Sequence, residues 1–102
     1  MDGICLQVAC SLTDSEFQER RRDVLQKVRS AVIEMKELVD GFADQLPSGG
    51  EWIDEVANLI NLERQCCPFL RLSLIVEPGD GHLWLELTGP EGTKGFLMAA
   101  FE

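Results

Sequence analysis

Glu63, Cys66 and Cys67 lie within about one helical turn of one another, in the stretch NLERQCCPF (Asn61 to Phe69). A carboxylate and two thiols at that spacing could ligate a thiophilic ion such as Zn²⁺ or Cu(I). They could equally line a small-ligand pocket or take part in thiol chemistry. On a helical wheel with Val56 at zero, Ile60 falls at about +40°, Glu63 at about −20°, Cys67 at about +20° and Cys66 at about −80°. Glu63 therefore points near the centre of an apolar stripe, with Cys67 one turn beyond it and Cys66 on the rim. An unpaired buried carboxylate is expensive, so Glu63 needs a metal, a ligand, a hydrogen-bond donor or a cation such as Arg71. Plain packing is also open, with Cys66 and Cys67 as small apolar residues at a helix end. Cys10, at the end of the first apolar run, is a further thiol for such a cluster.

Other chemical residues give weaker signals. The cysteines stand at 5, 10, 66 and 67, which matches no paired CxxC or CxxH zinc pattern. A Cys66–Cys67 disulfide is disfavoured, because adjacent Cα atoms are about 3.8 Å apart, below the usual disulfide span. Redox chemistry would more naturally join cysteines that the fold brings together, with Cys10 the obvious second. His82 is the one histidine and follows a turn, so it reads as a surface residue. Trp84 lies on the polar face of its strand, and if exposed it marks an interface. The segment TGPEG could offer helix N–H groups to an anion. No P-loop, dinucleotide fingerprint or nucleophile elbow is present.

These residues need elements to hold them. GICLQVACSL (residues 3–12) reads as a strand. Thr13 with Glu16 forms a capping box, and a helix follows from about Asp14 to Ser30. AVIEMKELVDGFADQLP allows a continuing helix or a hairpin turned at Asp40-Gly41. The hairpin is favoured, since Val32, Ile33 and Val39 are mediocre in helices. A second helix starts near Ser48 or the glycines after it, carries Trp52, Ile53, Val56, Leu59, Ile60 and Cys67 as its stripe, and is limited by Pro68. FLRLSLIVE and HLWLELTG alternate as two strands around the turn PGDG. A last helix begins at Pro90 and docks Phe96, Leu97, Ala100 and Phe101. The order β-α-β-β-α-β-β-α predicts one α+β domain over residues 1–102. It is a ferredoxin-like two-layer sandwich, its sheet mostly antiparallel, with an added C-terminal strand and helix.

Charge narrows the partners. Acidic residues outnumber basic ones 18 to 9, for a net charge of −9, which disfavours nucleic acid and anionic membranes. The run Arg20-Arg21-Arg22 lies among acids and reads as a solvated helix face. An acid at position 2 and a short apolar run argue against a signal peptide, and no stretch has the length of a membrane span. The protein is thus expected in the cytoplasm, where the four cysteines are thiols by default.

The blocks CSLT (Cys10 to Thr13), DGFA (Asp40 to Ala43), LERQCCPFLRLSL (Leu62 to Leu74) and LWLELTGPEGTKGFL (Leu83 to Leu97) resemble a family of small, uncharacterised bacterial proteins. Its pattern is LERxCCPF…LxLTGPxGxKxFL, and the likeness covers nearly the whole chain. The resemblance implies one domain and supports the hairpin. It carries over no activity and no catalytic residue. Asp44 departs from it, standing where a larger apolar residue is more usual, and implies a less well packed strand. Three functions remain open. One is a binding domain with a pocket at Glu63, Cys66, Cys67 and Cys10 for a soft metal ion or small ligand. Another is a homodimeric interaction module using the sheet near Trp84 or a sheet edge. The third is a thiol-dependent redox enzyme.

Overall fold

The computed structural model describes residues 14–79 and 81–100. The expected first strand, with Cys10 and the Thr13 cap, and the docking of Phe101 lie outside the described residues. The described elements run α1 (Ser15–Ser30), β1 (Glu34–Leu38), β2 (Gly41–Leu46), α2 (Gly50–Cys66), β3 (Arg71–Val76), β4 (Leu83–Thr88) and α3 (Thr93–Ala100). This is an α+β arrangement of three helices and a four-stranded antiparallel sheet ordered β1-β2-β4-β3.

That order does not confirm the ferredoxin-like arrangement, which would seat the first strand beside β2. Here β4 holds that place, pairing Phe42 with Leu87, Asp44 with Leu85 and Leu46 with Leu83. The cause is local. The turn at Pro78-Gly79 folds β4 back on β3, with Gly79 in the left-handed region (φ 68°). The C-terminal strand is therefore built into the middle of the sheet, not added to its rim.

Residues 34–46 form the hairpin, with a different turn from the one expected. Leu38 pairs directly with Gly41, so the loop residues are Val39 and Asp40. Asp40 has no positive φ, which a type I′ turn would require. Gly41 is needed for closeness instead: a Cβ there would come within 1.8 Å of the Leu87 carbonyl oxygen. The glycine lets β2 lie against β4 at that point.

Helix ends follow capping chemistry. Asp14 caps α1, its carboxylate accepting the Phe17 N–H at 2.8 Å. Gly49, with φ 140°, precedes α2. The third helix starts at Thr93, not at Pro90, whose carbonyl accepts the Thr93 N–H at 3.0 Å.

All three helices bury apolar residues against one sheet face. Leu25 and Val28 of α1, Val56 and Leu59 of α2 and Leu97 of α3 join Leu46, Leu83, Leu85 and Leu87 in the main core. Alternation puts Asp44 on this same face, between Phe42 and Leu46. It is 9% exposed, and its Oδ1 has no hydrogen-bond partner. Desolvation pushes its pKa up to about 6.

Between about pH 4 and pH 6 the folded chain thus holds a proton that the unfolded chain has lost, so stability falls as pH rises through this window. Asp44→Asn removes that term. It should raise stability by about 1–3 kcal/mol at pH 7 and add nothing from this source below pH 4. Urea unfolding of both proteins across the pH range checks this. Gly41→Ala should cost about 2 kcal/mol or more, because backbone must move to admit the methyl group; thermal melts measure it.

Candidate functional site

The second helix ends where the proline requires it to end. Cys67 has φ −123° and ψ 75°, outside the helical region, as the residue before a proline prefers. Its N–H still donates to the Glu63 carbonyl at 2.6 Å, and its own carbonyl accepts the Leu70 N–H at 3.1 Å. Pro68 therefore sits second in a four-residue turn, a position its fixed φ suits. The turn brings Phe69 inward, edge-on to Phe96 with ring centroids 5.1 Å apart. Phe17, Leu62, Cys66, Cys67 and Phe69 make a second buried cluster.

Glu63 points inward as the wheel predicts and is wholly buried. Its partner is a cation of the chain, and not Arg71, which is exposed at the start of β3. Arg21 of α1 reaches across and grips the carboxylate with two groups. Nε donates to Oε1 in a very short contact, and Nη2 donates to Oε2 at 3.1 Å. The Arg21 side chain is 13% exposed. Nη1 donates to Gln18 Oε1 at 3.4 Å, and Nη2 also reaches Cys67 Sγ at 3.9 Å. Burial pulls the Arg21 pKa down, but hydrogen bonding and attraction to Glu63 outweigh it and leave the pKa above its ordinary value. The guanidinium stays charged.

The two cysteines differ. Cys67 is a buried free thiol, and its pKa is pushed up to about 11, first by desolvation and then by the Glu63 carboxylate, against a smaller opposing pull from Arg21. At neutral pH it is a thiol, a poor nucleophile. Cys66 is disulfide-bonded, which corrects the expectation of four thiols, and it is not joined to the free Cys67. Its sulfur also accepts a hydrogen bond from Gln18 Nε2 at 3.4 Å. It is wholly buried rather than on the rim, because α1 covers the flank of α2 that the sheet does not.

The structure thus brings Glu63, Cys66 and Cys67 together at one end of the α1–α2 contact. Cys10 lies outside the described residues. No group of three or more His, Cys, Asp or Glu side chains able to hold a metal ion occurs among the described residues. Arg21 and Gln18 complete the cluster, and reading the Arg20–Arg22 run as a solvated face missed Arg21. The signal was present: Arg21 stands four residues after Phe17, four before Leu25 and seven before Val28, on the buried stripe of α1. His82 is exposed, as expected, and Trp84 is half-buried on the sheet face away from the helices. No helix of the described residues is long and apolar enough to cross a membrane.

Comparisons with family models, with curated proteins and with solved structures find no match for the chain.

Removing one member of the pair strands the other in a buried site. Arg21→Met or Glu63→Leu alone should each destabilise the fold by about 3–5 kcal/mol, whereas the double variant should recover most of that loss. Chemical denaturation of the three variants forms a double-mutant cycle that reads the coupling directly.

Proposed function

We propose that the chain is a protein-interaction module, working as a homodimer through the parts of the sheet that the helices leave uncovered. The observation that carries this is the one-sided packing. Leu83, Leu85 and Leu87 receive all three helices, so Trp84, Glu86 and Thr88 face the other way. Ala43, Gln45, Ser73 and Ile75 share that face by register, and no described helix lies over it. Lys36 covers part of it, its ammonium 4.7 Å from the Trp84 ring centroid. In this reading Glu63 is a structural residue. Its need for a partner is met within the chain by Arg21, and the raised pKa of Cys67 disfavours thiolate chemistry there.

A soft-metal or small-ligand pocket at Glu63, Cys66, Cys67 and Cys10 is the second reading. It is favoured by a free thiol, Cys67, standing beside the Glu63 carboxylate with Arg21 touching both. Titration of the reduced protein with Zn²⁺ or Cu(I) tests it. Binding that weakens in both Cys67→Ser and Glu63→Gln would support it, and binding indifferent to both would end it.

Sedimentation over a wide concentration range tests the leading proposal. A reversible monomer–dimer equilibrium is expected, with no metal dependence. A monomer at every concentration would dismiss the homodimer.

A further inference from the structure

We propose that the second copy docks on the free edge of β1, joining two sheets into one across a twofold axis that passes beside Met35. This rests on the homodimer reading above and adds a place and a register to it. Among the described residues β1 pairs only with β2, and no described strand occupies its other edge. The Ile33 N–H donates inward to the Gln45 carbonyl at 2.7 Å. The two-residue loop closes on the Leu38–Gly41 pair, and Asp40 turns its carbonyl to the Gly89 N–H of the strand end beyond, so the main-chain groups of Glu34, Lys36 and Leu38 point to β2 while those of Met35 and Glu37 point outward. Ile33 and Met35 lie on the helix side of the sheet, the side that is core further in, and yet are 55% and 60% exposed.

Symmetry and charge select the register. A twofold axis normal to a continuous sheet keeps each residue on its own face, so only registers that place one residue opposite its own copy are allowed. Glu34, Lys36 or Glu37 on the axis would set like charges face to face. Met35 on the axis sets an apolar residue against itself. It also puts Glu34 opposite Lys36 of the second copy, twice, and Val32 opposite Leu38. Met35 is a residue whose backbone groups face outward, so on the axis it also exchanges hydrogen bonds with its own copy. Lys36 is held in place over Trp84. Glu37 falls opposite Ile33 but already has Lys94 as its partner, at 2.5 Å.

Charged residues on an edge strand ordinarily block pairing. Here the same charges block three of the five registers centred on β1 and complement the one at Met35, while Leu38 on the axis would carry the pairing into the loop at Val39 and Asp40, which is how a self-selective edge works. A five-residue edge makes a small interface, so a weak, concentration-dependent dimer is the expected form.

The test is a charge swap read by sedimentation. Lys36→Glu and Glu34→Lys should each weaken the dimer about tenfold or more, since each turns two attractions into repulsions. The double variant Glu34→Lys with Lys36→Glu should restore it. Met35→Cys should form a disulfide-linked dimer under mild oxidant, because residues facing each other at a hydrogen-bonded site have Cα atoms about 5.5 Å apart, within disulfide reach. Glu37→Cys and the unaltered chain should not. Lys36→Glu also loses the contact with Trp84, so melts identify a folding defect, and Glu34→Lys with Met35→Cys then decide. A dimer that ignores the single swaps and gives no Met35→Cys linkage would overturn the edge register while leaving the interaction module standing. A monomer at every concentration would remove both.

Discussion

The buried pair of Arg21 and Glu63 sets how the helix layer is assembled. On α1, Arg21 lies between Phe17 of the second cluster and Leu25 of the main core. On α2, Glu63 lies between Leu59 of the main core and Cys66 of the second cluster. The same break therefore occurs on both helices, and the charges meet there. An apolar contact between two helices can slide by a turn at small cost, but a guanidinium holding a wholly buried carboxylate by two groups accepts one alignment. Replacing such a pair with apolar residues is often neutral for stability, so its role here is best understood as alignment.

Much of this was legible in the residues, and the parts that were not share a cause. The elements from α1 to α3, the hairpin, the alternation in β4 and the inward aim of Glu63 all follow from local periodicity and turn chemistry. The identity of the partner of Glu63 did not, because two helices far apart in the chain must first be placed together. Arg21 was hidden by its neighbours: a triple arginine among acids reads as surface unless each residue is put on the wheel singly. Gly41 was credited to a turn when its reason is a contact with Leu87 on another strand. Sheet order failed in the same way, since periodicity says which residues are strands and not which strands are neighbours.

Asp44 shows the limit of reading a strand by its pattern. Position 44 belongs to the face of the sheet that faces the helices, and its cross-strand partner Leu85 is almost wholly buried. A carboxylate there is tolerated because the neighbouring strand β1 is thinly covered, as the exposure of Met35 beside it indicates. Exposed Met35 and buried acid are thus two sides of one fact, that the described helix layer reaches over β2, β3 and β4 but thins out at β1.

The central place of β4 bears on how the chain must be made. It is the last of the four described strands in chain order, yet β2 and β3 each meet it and do not meet each other. Until residues 83–88 emerge, the nascent chain holds a hairpin and a lone strand whose leucine-bearing faces and backbone edges have no partner. Such a topology defers joining of the described strands until β4 is made, relies on contacts distant in sequence, and lengthens the interval in which unpaired strands can be captured by other chains.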